Sequence, residues 1–313
     1  VPNGFLVVDK PVGITSHDVV ARVRRAFGMK RVGHTGTLDP FATGVLPVAL
    51  GAGTKAIPFL DEAVKEYQAV MRLGTATDTL DITGSVISTG DWSHVSKALI
   101  METFAGFTGS IAQIPPMYSA VKQGGVPLYR LARKGETVER QERQVVIHSI
   151  VVDRLNFPDV TFTVRCSRGT YIRTLADDIG KALGCGAHLV ELRRKASGLF
   201  DLAMAIPFAA LSADSAATDL ESAIISPVQA LGHLRTLQLT ALGCVRTRHG
   251  IAPQADDLLS SGQQPLSGEQ LLLLCNERLA AVAERVSSGD TAAASDIRLL
   301  RVFAQECPLH ADR

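Results

Sequence analysis

The sequence predicts an α+β protein in two parts, a large mixed domain followed by a small β-rich module, and three observations carry that reading. KEYQAVMRL at 65–73 and DVTFTVRC at 159–166 alternate apolar and polar side chains with period two, as half-buried strands do. The stretches 16–28 and 170–184 instead repeat apolar residues at helical spacing. Near Ser226-Pro227 the composition shifts to short apolar pieces, 271–274, 279–282 and 299–303, set between Gly, Ser and Pro turns. With 313 residues, 46% of them hydrophobic, the chain can bury a sizeable core.

In chain order, FLVV at 5–8 reads as a buried strand stopped by Asp9-Lys10-Pro11. Ser16 is expected to cap a helix whose apolar side is Val19, Val20, Val23 and Phe27, ended by Gly28. Its other side runs into five cations without an acid, Arg22, Arg24, Arg25, Lys30 and Arg31, which serve equally well as a solvated face or as phosphate contacts. After an apolar piece at 46–49 and the strand at 65–73, the loop GTATDTLDITG at 74–84 presents Asp78 and Asp81. Those two acids lack the further ligands of a calcium loop, so turn or cap roles are favoured. A helix follows at 96–107. Between 120 and 145 the character changes: Gly124-Gly125, Pro127 and Gly135 accompany six cations, including Lys122 and Arg130, and three acids. This basic insertion fits a clamp for a polyanion, with a merely solvated loop as the competing reading. Strands at 145–155 and 159–166 should pair, and Ser167-Arg168-Gly169 then turns the chain into a helix carrying Tyr171 and Arg173 in its first turn. Arg173 in isolation reads as a surface partner for Asp177 one turn on. GCGAHLVELRRK at 184–195 reads as a Gly-rich turn and a short segment ending in three cations.

The charge is balanced, 32 basic against 31 acidic residues, so a nucleic-acid partner has to be held by local patches. Five cysteines, odd in number, scattered and never in a CxxC pair, argue against a disulfide framework and a zinc site and fit a reducing cytoplasm. No apolar run approaches membrane-spanning length, and VPNGFLVVDK has neither the basic start nor the long apolar core of a signal peptide. The absent initiator Met points to a trimmed or processed start. Hydrolase, NTPase, zincin and dinucleotide-binding readings lack their motifs, since GxSxG, the Walker A loop, HExxH and a GxGxxG after a strand are all missing.

The least core-like stretch is VGHTGTLDPFATG at 32–44, which holds one carboxylate, Asp39, before Pro40 among three glycines. Glycine permits close approach and positive φ, and a residue before proline is pushed out of the helical region, so Asp39 sits on a rigid extended turn. A turn or cap is the commoner use of an Asp-Pro pair. His34 can pair with Asp39 as acid and base, or it can act as a flat polar group that stacks on or displaces a base. An enzyme that flips a base out of its stack needs such an intruder, an aromatic to receive the base, and cations for phosphates; His34, Tyr67 and the basic clusters supply them.

These pieces together resemble the TruB family of bacterial tRNA pseudouridine-55 synthases. The resemblance rests on LVVDKPVGITSHDVV, GHTGTLDPFATGVLP, KEYQAVMRLG, TATDTLDITG, IPPMYSAVKQGG, CSRGTYIRTLADDIG and GAHLVELRR, in that order along the chain. It implies a pseudouridine synthase catalytic fold with a central mixed, mainly antiparallel sheet over 1–235, and a PUA-like RNA-binding module over 236–313. It implies that Asp39 is the essential aspartate, that Tyr67 stacks on the flipped uracil, and that Arg173 pairs with Asp39 and keeps it ionised. Tyr171 and Leu192 would complete the pocket, and His34 would fill the space the base leaves. Asp81 would help organise the RNA-contacting side, and Lys10 and Pro11 would pack behind the catalytic loop. The insertion at about 123–143, with Lys122 and Arg130, would be a thumb over the T stem-loop. The expected activity is isomerisation of the T-loop uridine of tRNA by a monomer without cofactor or obligatory protein partner. The rival expectations are an RNA-folding chaperone and a related synthase acting on another RNA.

Overall fold

The structure is a computed structural model that describes residues 2–119, 121–136, 138–211, 217–259, 265–286 and 296–303. Cys307, residue 137 of the expected thumb, and parts of the expected C-terminal module lie outside the described residues.

The α+β class is as expected. β1 (Gly4–Lys10) leads into α1 (Ser16–Ala26), then β2 (Val32–His34) and β3 (Thr43–Leu50). A short α2 (Gly53–Ala56) precedes the long β4 (Val64–Leu73) and the hairpin of β5 (Thr75–Thr77) with β6 (Val86–Thr89). α3 (Lys97–Gly106) and β7 (Gly109–Gln113) come next. The basic insertion forms the small hairpin β8 (Lys122–Gln123) with β9 (Val126–Pro127), followed by α4 (Leu128–Ala132). The chain returns through β10 (Arg143–Asn156) and β11 (Asp159–Ser167) to α5 (Ile172–Ala182), β12 (Ala187–Ser197), β13 (Phe200–Asp201) and β14 (Ile206–Pro207). These strands make one sheet in the order β14-β1-β3-β12-β4-β11-β10-β7, with β2 and β13 paired at its side. Only β1 with β14 and β3 with β12 run parallel, so the sheet is mixed and mainly antiparallel.

The apolar stripes predicted from spacing face the core. Val19, Val20 and Val23 of α1, and Ile172, Leu175 and Ile179 of α5, pack with Leu6, Val48, Met71 and Phe162 of the sheet. Thr15, not Ser16, caps α1, in a capping box with Asp18; Ser16 is the first helical residue and is buried. The segment after Gly184 is no short piece but β12, eleven residues in the middle of the sheet between β3 and β4.

After α6 (Ala217–Ser222) and α7 (Pro227–Ala230), a second sheet, β15-β16-β17-β18, starts at β15 (Arg235–Gln238). It continues through β16 (Gln270–Cys275), β17 (Arg278–Arg285) and β18 (Ile297–Val302), with α8 (Ala241–Arg248) between β15 and β16. Leu272, Leu274, Val282 and Phe303 of this part join Phe5, Val7, Val45 and Phe200 of the large sheet in one buried cluster. The cysteine spacing argues against a disulfide framework, yet one bridge is present: Cys244 on α8 is bonded to Cys275 at the end of β16. The two lie 31 residues apart in sequence, and the packing of α8 on this sheet brings their Cα atoms to 5.7 Å, a proximity that local spacing does not reveal. Among the described residues no group of three or more His, Cys, Asp or Glu side chains is placed to hold a metal, and no helix is long and apolar enough to cross a membrane.

Candidate active site

The Asp39 loop joins β2 to β3, which pair antiparallel with Gly33 opposite Ala49 and His34 opposite Val48. Between them the residues from Gly36 to Pro40 are tied down by several different elements. The carbonyls of Gly36 and Thr37 accept from Arg194 on β12, at 3.1 and 3.5 Å. Both backbone groups of Leu38 are taken by the buried Ser16 hydroxyl of α1, which accepts from Leu38 N at 2.9 Å and donates to its oxygen at 3.1 Å. The Pro40 carbonyl accepts from Gly13 N at 2.8 Å and from Lys10 Nζ at 3.4 Å. A backbone polar group that leaves water must find a partner, so these bonds satisfy the loop while fixing its shape.

Asp39 itself is held by α5. Arg173 Nε lies 3.0 Å from Asp39 Oδ2, and the guanidinium is 4% exposed while the Asp39 side chain is 34% exposed. The remaining donors of Arg173 go to Thr79 O at 2.9 Å, Asp81 Oδ2 at 3.4 Å and Tyr118 O at 2.7 Å. The guanidinium is thereby fixed in plane by three segments, which a lysine ammonium could not match. The surface pairing with Asp177 does not form, because Asp177 bonds Lys181 at 2.5 Å. Burial pushes the Asp39 carboxyl above the ordinary carboxylate range; Arg173 opposes that rise, and the nearby charge of Asp81 adds to it.

Tyr67 lies on β4, beside Arg194 of β12 on one edge and Val164 of β11 on the other. It is 8% exposed, and burial raises its phenol above the usual value, with Asp39 close enough to add to that rise. Leu192, 7% exposed, sits two residues before Arg194. Tyr171 is the residue that precedes α5; Gln113 clasps its backbone at both N and O, and burial raises its phenol above the usual value. His34 meets His17 edge-on with ring centroids 5.4 Å apart, and its Nδ1 is buried without a partner. Burial, helped by the charges of His17 and Arg194, lowers its pKa, so its imidazole is neutral near pH 7.

Asp39, Arg173, Tyr67 and Asp81 therefore gather in one place. Asp81 is 4% exposed and bonded to Arg173 and Thr79, which puts it behind the guanidinium. Lys122 and Arg130 are exposed on the β8–β9 hairpin and α4, away from this enclosed group. The insertion still grows directly out of the site, because Tyr118, which binds Arg173, shortly precedes it. Sequence reading missed Ser16, Gln113 and Arg194. Only Arg194 left a signal, a cation one strand repeat from Leu192.

An ionisable carboxylate held by a fixed guanidinium at an opening, with a buried aromatic beside it, can serve as nucleophile or base toward a flat ring. The chain matches the family described as TruB family pseudouridylate synthase (N terminal domain) over residues 24–172, and tRNA pseudouridylate synthase B C-terminal domain over 173–234. It is 52% identical over 302 residues to "tRNA pseudouridine synthase B" of Geobacter sulfurreducens, covering 96% of this chain and 99% of that one. It is 44% identical over 288 residues to the protein of the same name from Burkholderia pseudomallei, covering 92% and 94%. Among solved structures, one described as "Crystal Structure of a Cbf5-Nop10-Gar1 Complex" superposes with a TM-score of 0.72 at 29% identity, over 97% of this chain and 87% of that one.

Proposed function

The chain belongs to the TruB family of pseudouridylate synthases, and from that premise we propose that it isomerises uridine 55 in the T loop of tRNA, with Asp39 as the reacting group. It acts as a tRNA pseudouridine synthase, an isomerase. The observation that carries the assignment of Asp39 is its ion pair with the buried Arg173 at 3.0 Å. The reaction breaks the C1′–N1 bond and joins C1′ to C5 of the same base, while N1 gains a proton and C5 loses one to solvent. No atoms are transferred from a second substrate, so one ionised carboxylate suffices to act on the sugar or the base.

In this reading the target uridine leaves its stack, because its reacting atoms are shielded inside the RNA. Its ring lies against Tyr67, with Leu192 and Tyr171 closing the pocket, and the neutral ring of His34 takes the vacated place. Asp81 supports Arg173. Exposed Arg25 and Lys30, with Lys122 and Arg130 of the thumb, contact phosphates. We assign 1–235 to the catalytic domain and 236–313 to a PUA-like RNA-binding domain, and expect a cytoplasmic monomer that needs no protein partner.

The test is tritium release from 5-tritiated uridine in a T stem-loop, compared with stem-loops of unrelated sequence. The reading expects release from the T stem-loop at a rate at least about tenfold above the others. Equal release from all of them would point to a synthase of different RNA specificity.

A further inference from the structure

Arg194 heads the largest fully buried side chains of this protein and is 1% exposed. Among the described residues no carboxylate forms an ion pair with it. A buried cation is costly unless its donors are used, and those of Arg194 are spent on backbone carbonyls: Val45 at 2.7 Å, Gly36 at 3.1 Å and Thr37 at 3.5 Å. Val45 lies near the start of β3, the strand that leaves the Asp39 loop, and Gly36 and Thr37 lie on the side that enters it. The backbone of Arg194 closes the same loop from below. Gly44 has φ of +102° and passes so near that a Cβ there would lie 2.2 Å from Arg194 O. The third contact is Tyr67, Arg194's neighbour across the β4–β12 ladder, whose phenol lies close enough for the Arg194 charge to oppose its upward shift.

The cations beside it do not share this placement. Arg193 pairs with Asp9 at 2.7 Å and Lys195 with Glu66 at 3.2 Å, both partly exposed. Of the run Arg193-Arg194-Lys195, only the middle member is withdrawn from the surface.

We propose that Arg194 is a positioning residue for uridine isomerisation: without touching substrate, it locks both arms of the Asp39 loop to the strand and ring of Tyr67, so that acid and base platform keep one separation. The inference rests on the reading of Asp39 and Tyr67 given above. A purely structural residue would be replaceable by one of similar volume without effect on the chemical step. A positioning residue would not, because a displacement of about 1 Å in a reacting group costs about 100-fold in rate.

The experiment uses the full chain and its Arg194→Met and Arg194→Lys variants. It measures single-turnover tritium release from a saturating T stem-loop, binding of that stem-loop, thermal melting and the pH dependence of the rate. The expected result for Arg194→Met is a cooperative melt, a dissociation constant within about threefold of the unaltered protein, and a rate lowered about 100-fold. Arg194→Lys, which keeps the charge and part of the carbonyl bonding, should recover about tenfold of that loss. The acid limb should stay in place in both variants, since Arg194 is not among the groups that set the Asp39 carboxyl. A rate within about threefold of the unaltered protein would overturn the proposal. So would binding and rate falling together with the folded fraction, or neither variant folding, because the residue would then be needed for stability alone. Absence of release by the unaltered protein would instead strike the uridine reading itself, and with it this inference.

Discussion

For single residues the proposed chemistry rests on Asp39 and Arg173, and the protonation of Asp39 makes a sharp prediction. Burial raises the Asp39 carboxyl above its ordinary value of 3.8, and Arg173 works against that rise. An acid that reacts in its ionised form loses activity as pH falls through its folded pKa, so the acid limb of the single-turnover rate should lie above 3.8. Arg173→Met removes the opposing charge and should move that limb to higher pH, with a rate at pH 7 lowered at least about 100-fold. A limb that stayed put in this variant would separate Asp39 from the titration. The carboxylate was legible in the sequence as a mounted acid between glycines. Its partner was not legible from spacing, because Arg173 lies far along the chain and its local pattern offers Asp177 one turn away. In the folded chain Asp177 pairs instead with Lys181, and Arg173 turns inward to Asp39. The resemblance to a family supplied the pair that local chemistry could not.

The elements behave as a set of clasps on one loop, and each clasp can be released separately. Ser16→Ala would strand both the N–H and the carbonyl of Leu38 in a buried setting, for which a loss of about 1–3 kcal/mol of stability is expected in denaturant melts. Gly44→Ala should cost more than about 2 kcal/mol, since its Cβ would meet the Arg194 backbone in a conformation that L side chains avoid. If both variants melted like the unaltered protein, the loop would not be under the constraint described here. β4, β11, α1 and α5 were visible in the sequence because one face of each is apolar and the other wet, which writes a period into the chain. β12 was hidden. It lies inside the sheet and carries Glu191, Arg193, Arg194 and Lys195, charges that read as surface. Glu191 is exposed, and the three cations are accommodated by ion pairs to Asp9 and Glu66 and by backbone carbonyls around the Asp39 loop, all remote in sequence. β2 was missed because its pairing with β3 exists only once the Asp39 loop has folded, whereas the Thr15 cap is a local box with Asp18 that the sequence did carry.

At the scale of the molecule, the second sheet is packed as part of the body. Its Leu272, Leu274, Val282 and Phe303 share a core with Phe5, Val7 and Phe200 behind β1 and β3, and Lys55 Nζ reaches Val302 O at 3.0 Å. A chain ending at residue 235 should therefore expose an apolar surface and melt well below the full chain, at least about 4 °C lower, in addition to any loss of RNA binding. An unchanged melting temperature would show the second sheet to be a free appendage. Composition revealed this module as β-rich, but α8 and its disulfide to β16 were invisible, because one helix of about two turns and one distant cysteine pair leave no period to read. The near-neutral total charge likewise concealed how the cations are distributed. With Arg25, Lys30, Lys122 and Arg130 exposed, binding of a T stem-loop should weaken at least about tenfold between low and moderate salt.

The central claim is that Asp39 performs the isomerisation, and it is tested most directly by single-turnover tritium release from a 5-tritiated T stem-loop by the full chain and by Asp39→Asn. The account predicts release by the unaltered protein and a rate lowered more than about 1,000-fold in Asp39→Asn, with stem-loop affinity within about threefold. Release by Asp39→Asn at a rate near that of the unaltered protein would contradict it.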